Sequence, residues 1–197
     1  MKTRRISQLT RANRGRTKKG LVTKIALGLL AVGGGIVILA MAPGLAMALK
    51  LIDPNPRKAM DKLERALRNL VEEGDVEVSG KRKFRQYQIT TTGERKLARL
   101  KFAEYQLPRP AKWNSKWRVV CFDIPETEKY SRTLFQTKLA NLGFYRLQNS
   151  VFVYPHPCGE LVELAHKAFG LQKCLRVIIA DRIDNEAHLL NFFHLKQ

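Results

Sequence analysis

The stretch Arg118-Val-Val-Cys-Phe-Asp-Ile-Pro-Glu126 constrains this 197-residue chain more than any other. Val119, Val120, Cys121 and Phe122 form a short continuous apolar run, which reads as a buried strand with Cys121 as a small apolar side chain in it. Asp123 closes the run. A carboxylate at the end of a buried strand is costly unless something pairs with it, solvates it or coordinates through it. Ile124-Pro125 turns the chain, and a helical pattern follows over 129–142, with Leu134, Phe135, Leu139 and Leu142 on one side. Tyr145–Gln148 and Val151–Tyr154 read as a strand pair around Asn149-Ser150. Gly159–Phe169 reads as a second helix with Leu161, Leu164, Ala165 and Ala168 facing in. Leu175–Ala180 is a fourth strand, and 184–193 a short tail. The order strand, helix, strand, strand, helix, strand is the split βαβ plan. Two crossover helices cover one face of its sheet; the other face needs a partner, which predicts a homodimer.

The Asp-terminated strand, the helix, Gly143-Phe144 and then Gln148-Asn-Ser-Val-Phe152 carry a resemblance. They resemble the ferredoxin-like domain of the small CRISPR-associated endonucleases of the Cas-two family. They resemble more closely the central domain of the phenylacetic-acid repressor (PaaX-like) transcriptional regulators, where a related domain follows a winged helix. The likeness covers 116–195 well and, more vaguely, 23–100. It implies an α+β chain, an N-terminal winged helix-turn-helix followed by a ferredoxin-like βαββαβ domain. It also implies a DNA-binding transcriptional regulator, a repressor by type, that dimerises through the second domain. On that reading the chain is not an enzyme and needs no cofactor.

The alternative implied by the same resemblance is an Mg²⁺-dependent CRISPR-associated endonuclease or spacer-acquisition subunit. In the Cas-two family the strand-end Asp of each subunit meets its mate across the dimer axis around a magnesium ion. Asp123 takes that position, as catalytic and metal-binding residue under this alternative alone. One carboxylate per chain holds a hydrated Mg²⁺ only if the dimer or a substrate phosphate supplies the rest. Glu126 and Glu128 are the nearest acids and suit a helix N-terminus better. The structural reading of Asp123 is a turn cap, or a pair with Arg118 or Arg132. Ser150 and Phe152 match the family's strand motif and serve packing and the dimer face. The resemblance does not reach the further C-terminal region of full-length PaaX-like repressors, so it implies no acyl-CoA effector. A domain ahead of the Cas-two-like half is foreign to stand-alone Cas-two proteins, which counts against spacer acquisition.

A net charge of +19 says little about fold and much about partners. Polyanions are attracted at long range, and double-stranded DNA and an anionic membrane surface are the two candidates. The three cysteines, Cys121, Cys158 and Cys174, are scattered and odd in number. They form neither a zinc spacing nor a disulfide framework, which fits a reducing cytoplasm.

Residues 1–24 carry nine Lys and Arg and no acid, with Ser, Thr, Asn and Gly between. Such a segment cannot bury enough apolar surface to order itself, so 1–22 reads as a flexible basic arm. Residues 25–49 contain nothing charged or strongly polar. Their length meets the criterion for a membrane span, and the arm satisfies the positive-inside pattern, which would anchor the chain with its later domains cytoplasmic. Ala46-Met47-Ala48 and Arg4-Arg5 also look like export signals, but a cleavable signal has a shorter apolar region. The rival reading is two short helices of a winged-helix core, broken at Gly33-Gly34-Gly35 and again at Pro43-Gly44. A surface helix should show a polar face, and these pieces show none.

The winged-helix signal comes next. Asp53-Pro-Asn-Pro56 is a turn cluster after which a helix can begin. Met60, Leu63, Leu67, Leu70 and Val71 make one apolar stripe, and Arg57, Lys58, Lys62, Arg65 and Arg68 occupy the other faces. Gly74 is the expected C-terminal cap. Val76-Glu-Val78 and Tyr87-Gln-Ile89 read as short strands flanking Ser79-Gly-Lys-Arg-Lys-Phe-Arg85, a basic hairpin tip suited to a wing on DNA. Thr91 and Glu94 have capping-box spacing for a further helix to about Phe102. In a helix-turn-helix module the second helix enters the major groove. Arg65 and Arg68 are the candidates for base contact, because Arg reaches guanine edges bidentately. Lys58, Lys62, Lys81, Arg82, Lys83 and Arg85 would hold the phosphates.

Domain bounds then fall at 23–104 for the winged helix, 105–116 for a linker stiffened by Pro108 and Pro110, and 117–197 for the ferredoxin-like domain. Trp113 and Trp117 bracket the linker and read as packing residues rather than base-stacking ones. His156, His166, His188 and His194 do not converge by spacing, and neither a nucleophile–base arrangement nor a phosphate-cradling glycine loop can be argued.

Overall fold

The computed structural model describes residues 20–32, 36–38, 44–80, 85–108 and 112–195. They form two compact units, one running to Leu100 and one starting at Lys101. Each contains an antiparallel sheet, and the chain is α+β.

In the first unit, helix α1 (20–32) is followed by strand β1 (Ile36–Ile38), helix α2 (Leu45–Ile52) and helix α3 (Pro56–Glu72). Strands β2 (Val76–Ser79) and β3 (Gln86–Ile89) pair antiparallel, with Val76 opposite Ile89. β1 adds to the other side of β3, so the sheet order is β1-β3-β2. The apolar stretch 25–49 is thus divided among a helix, a strand and a second helix. No helix among the described residues is long and apolar enough to cross a membrane. The span reading fails on local geometry. β1 interrupts the run, and α2 starts from Gly44 at φ 74°, left-handed backbone that favours glycine. The missing polar face has a simple cause: Ala26, Leu27, Leu29, Leu30 and Ala48 enter one core with Leu63, Leu67, Leu70, Val76, Ile89 and Leu97. Met47 and Leu51 of α2 remain exposed. Of the expected arm, only 20–22 fall within the described residues, and they already belong to α1. The glycine break at Gly33-Gly34-Gly35 lies outside them.

Helix α3 ends as its sequence requires. Gly74 takes φ 73°, its N–H donates to the Val71 carbonyl at 3.1 Å, and the Asp75 N–H reaches back to Leu70 at 2.8 Å. That pair of bonds is the Schellman closure. Helix α4 (Thr91–Glu104) starts where expected, but with a different cap. The hydroxyl accepting from its first turn is that of Thr90, from the Gly93 N–H at 3.2 Å, rather than that of Thr91. Thr90 is held for the task, since its hydroxyl and that of Thr92 both donate to the Gly74 carbonyl, at 2.8 and 2.9 Å.

The second unit opens with the last residues of α4. Phe102 is buried against Phe135, and Lys138 Nζ donates to the carbonyls of Ala103 and Tyr105, both at 2.8 Å. Strand β4 (Trp117–Phe122), a 3-10 turn (Glu126–Glu128), helix α5 (Lys129–Asn141), strands β5 (Tyr145–Gln148) and β6 (Val151–Tyr154), helix α6 (Gly159–Phe169), strand β7 (Leu175–Ala180) and helix α7 (Ala187–Phe192) follow. The sheet order is β5-β6-β4-β7. Each crossover helix therefore joins strands separated by one other, as the split βαβ plan requires. Val120 sits opposite Phe152 on one side and Val177 on the other. On the helix-covered face Val120, Phe122, Phe152, Tyr154 and Leu175 pack with Phe135 and Leu139 of α5 and Leu161 and Ala165 of α6.

The opposite face is not left wholly open. Trp117, Val153 and Leu189 are fully buried there, with Trp113, Tyr145 and Phe193 around them. The expected tail is thus a covering element, and Trp113 and Trp117 pack, their ring centres 4.7 Å apart. Val119, Cys121 and Val151 stay half-buried on that face, and Ile178 is 53% exposed. Cys121 is therefore not the buried thiol. A continuous apolar run does not say which face a residue takes, and Cys121 lies on the less covered one. Cys158 is the buried cysteine, and burial pushes its pKa up to about 11.

Gly93 has a reason to be glycine. A Cβ there would stand 2.1 Å from the Asp75 carbonyl oxygen. Alanine normally stabilises a helix interior over glycine by about 1 kcal/mol. Here Gly93→Ala should reverse that sign and cost about 1–3 kcal/mol through overpacking, measured by urea titration of the full chain. A stabilised variant would contradict the close approach.

Candidate nucleic-acid interface

Helix α3 presents its cations because of how it begins. Asn55 caps it, its side-chain oxygen accepting from the backbone N–H groups of Arg57 and Lys58 at 3.1 and 3.2 Å. Pro56 occupies the first helical position, where its missing N–H costs nothing. Ala59, Leu63, Leu67 and Leu70 then face the core. The opposite side exposes Arg57, Lys58, Asp61, Lys62, Arg65, Arg68 and Asn69. The expected contact residues Lys58, Lys62, Arg65 and Arg68 thus share one exposed surface.

They are not equally available. Lys62 is ion-paired with Asp53. That hydrogen bond, followed by the Asn55 amide, holds the Asp53 carboxyl below the ordinary carboxylate range. Arg68 lies 4.0 Å from Glu64, one turn before it. Arg57, Lys58 and Arg65 enter no ion pair among the described residues. Arg57 was not among the expected contacts, although its place on the charged side of the stripe is the signal for it.

The hairpin beside α3 is fixed from its base. Lys96 of α4 pairs with Asp75 at 2.5 Å and with Glu73. Burial alone would lower the Lys96 pKa; the hydrogen bonds it donates to Asp75 and Glu73 outweigh that and hold the ammonium above the usual lysine value. Of the expected wing residues, Arg85 is exposed just before β3. Lys81, Arg82 and Lys83 lie outside the described residues. Charge is concentrated in this part of the chain: the first 100 residues hold 22 of the 36 Lys and Arg but only 8 of the 17 Asp and Glu.

Asp123 belongs to the second unit. Its backbone N–H donates to the Cys174 carbonyl at 2.8 Å, and its side chain is exposed. The expected pairing with Arg118 or Arg132 is not made. Arg118 donates to Asn114, Lys116 and Pro155 oxygens at 2.7, 2.6 and 3.0 Å. Arg132 pairs with Glu126 at 2.5 Å. Among the described residues no group of three or more His, Cys, Asp and Glu stands together as a metal site.

Residues 110–189 match the family model described as the PaaX protein central Cas2-like domain. That stretch is similar to the PaaX central Cas2-like domain. No curated protein matches it significantly. Within this domain, Arg118 is buried and has no acidic partner among the described residues, and its three oxygen acceptors tie the segment entering β4 to the turn after β6. His156 sits in that turn, half-buried, its ring 5.7 Å from that of Tyr154.

Burial, and then the Arg118 guanidinium, holds the His156 pKa below the ordinary histidine value. The unfolded chain, with a histidine pKa near 6.5, therefore takes up this proton first as the pH falls. The contribution is complete above about pH 6.5 and is lost as pH falls toward the folded pKa. Melting of the full chain between pH 7.5 and 5 should show lower stability on the acid side. His156→Gln should flatten that slope; an identical slope in the variant would rule His156 out as its source.

Proposed function

We propose that the chain is a PaaX-like transcriptional regulator that binds duplex DNA through its first unit and pairs with a second copy through its Cas2-like domain. The observation that carries this reading is the exposed cationic side of α3 beside a hairpin with a basic tip. We read the order α1, β1, α2, α3, β2, β3, with β3 central in its sheet, as a winged helix-turn-helix. α3 is then the recognition helix, with α2 before it as the first helix of the motif. Arg65 and Arg68 reach base edges, while Lys58, Lys62 and the segment from Lys81 to Arg85 hold phosphates. Repression follows if the operator overlaps a promoter.

Pairing is supported by what α7 leaves uncovered on the Cas2-like sheet. Val119, Cys121, Val151 and Ile178 form an apolar strip on one face, and a two-fold contact there would be isologous. The two activities separate cleanly, because the strip and α3 belong to different units.

Two measurements test the reading. Fluorescence anisotropy on random-sequence duplex should show affinity falling steeply with salt. Lys58→Ala and Arg85→Ala should each reduce the log–log slope by roughly 0.9, one phosphate contact's worth; slopes unmoved by both changes would remove α3 and the hairpin from the interface. Sedimentation velocity should find the wild-type chain dimeric and Ile178→Asp shifted toward monomer with its far-UV spectrum intact. A wild-type monomer at tens of micromolar would end the pairing half of the proposal.

A further inference from the structure

The exposed side of α3 also holds a carboxylate with no evident structural task. Asp61 lies four residues after Arg57 and four before Arg65, and three after Lys58. These are the spacings at which side chains on a helix surface meet, and all four residues are exposed. Yet among the described residues Asp61 enters neither an ion pair nor a hydrogen bond, whereas Asp53 holds Lys62 and Glu64 stands near Arg68. It does not cap the helix, because Asn55 already serves the first amides. It also stands beyond the first turn, where a negative charge would gain from the helix dipole.

Against duplex DNA such a group has few favourable partners. Phosphate oxygens repel it, as do the acceptor edges of guanine and thymine. The amine donors of the major groove are cytosine N4 and adenine N6, and a carboxylate is matched to cytosine N4. Resting on the DNA-binding reading above, we infer that Asp61 is a specificity residue that accepts from cytosine N4 and rejects guanine and thymine at that position. Arg65, one turn on, donates to a guanine. Four helix residues rise about 6 Å, nearly two base-pair steps of about 3.4 Å. The cytosine and the guanine therefore stand about two steps apart. An acid facing a polyanion weakens binding to every duplex that lacks the amine. Asp61 thus discriminates chiefly by penalising wrong sites.

The test uses the full chain to select duplexes from a randomised library, followed by anisotropy at fixed salt. The wild-type consensus should contain a cytosine about two steps from a guanine. Asp61→Ala should lose roughly tenfold discrimination at the cytosine position alone and bind random duplex more tightly. Asp61→Asn should move that position toward adenine, whose N6 and N7 a carboxamide matches. Arg65→Ala should relax the guanine position and leave the cytosine. Both Asp61 variants should melt with the wild type, since the side chain has no hydrogen-bond or ion-pair partner among the described residues. One consensus shared by wild type and both Asp61 variants overturns the inference and leaves DNA binding standing. A full chain that ignores duplex at low salt overturns the DNA-binding reading, and the inference with it.

Discussion

Asp75 is the point on which the first unit turns. Its N–H closes α3 on Leu70, its carbonyl accepts from Thr90, and its carboxylate takes Lys96. The residue is buried, and a buried carboxylate is costly unless it is paired and hydrogen-bonded. Lys96 meets that demand from a helix that begins sixteen residues later, after the hairpin has returned. The two hydroxyls on Gly74 and the close passage of Gly93 lock the same junction. The direction of β2, the start of α4 and the end of α3 are thus set by one small polar knot. The cationic side of α3 keeps its place beside the hairpin because this knot does not give.

The Cas2-like domain solves a different problem. Its central strand, β4, carries apolar residues on both faces and so needs both covered. Two helices fill one face with Phe135, Leu139, Leu161 and Ala165. On the other, α7 closes over Trp117 and Val153 and stops short of Cys121 and Ile178. A sheet covered on one and a half faces is stable enough to fold and still keeps an apolar strip of the kind that isologous contacts use. Arg118 fits the same logic. It is a buried cation without an acid, made tolerable because three oxygens accept from one end of its guanidinium.

The parts of this structure that were legible in the sequence are those built from local signals. Asn55-Pro56 and Gly74 bound α3, its stripe of leucines sets the buried side, and the split βαβ order follows from apolar runs at regular intervals. What was not legible depends on distant partners. β1 is three residues inside an uninterrupted apolar run, and nothing in that run marks a change from helix to strand. Thr90 rather than Thr91 caps α4 because the Gly74 carbonyl, far back in sequence, holds its hydroxyl. The destination of 184–195 could not be read because apolar residues in a short tail do not say which sheet face they will meet. Cys121 was misplaced for the related reason that a run without alternation leaves its faces unassigned. Asp123 has lost both of its expected arginines to nearer oxygens.

The same distinction between local and distant partners decides how the charge of the chain can act. A surplus of +19 raises encounter rates with polyanions wherever the cations sit. Grip depends on which of them are free. Surface ion pairs such as Lys62–Asp53 and Arg68–Glu64 contribute little in water, so a phosphate could draw either cation away at little cost. Lys96 is different in kind. It serves two acids at once, one of them buried, and removing it would strand the Asp75 carboxylate. On the DNA-binding reading proposed above, cations of the first sort form a reserve for the nucleic acid, while Lys96 belongs to the scaffold that aims them. On that reading the protein binds through few side chains, and the others serve its approach or its fold.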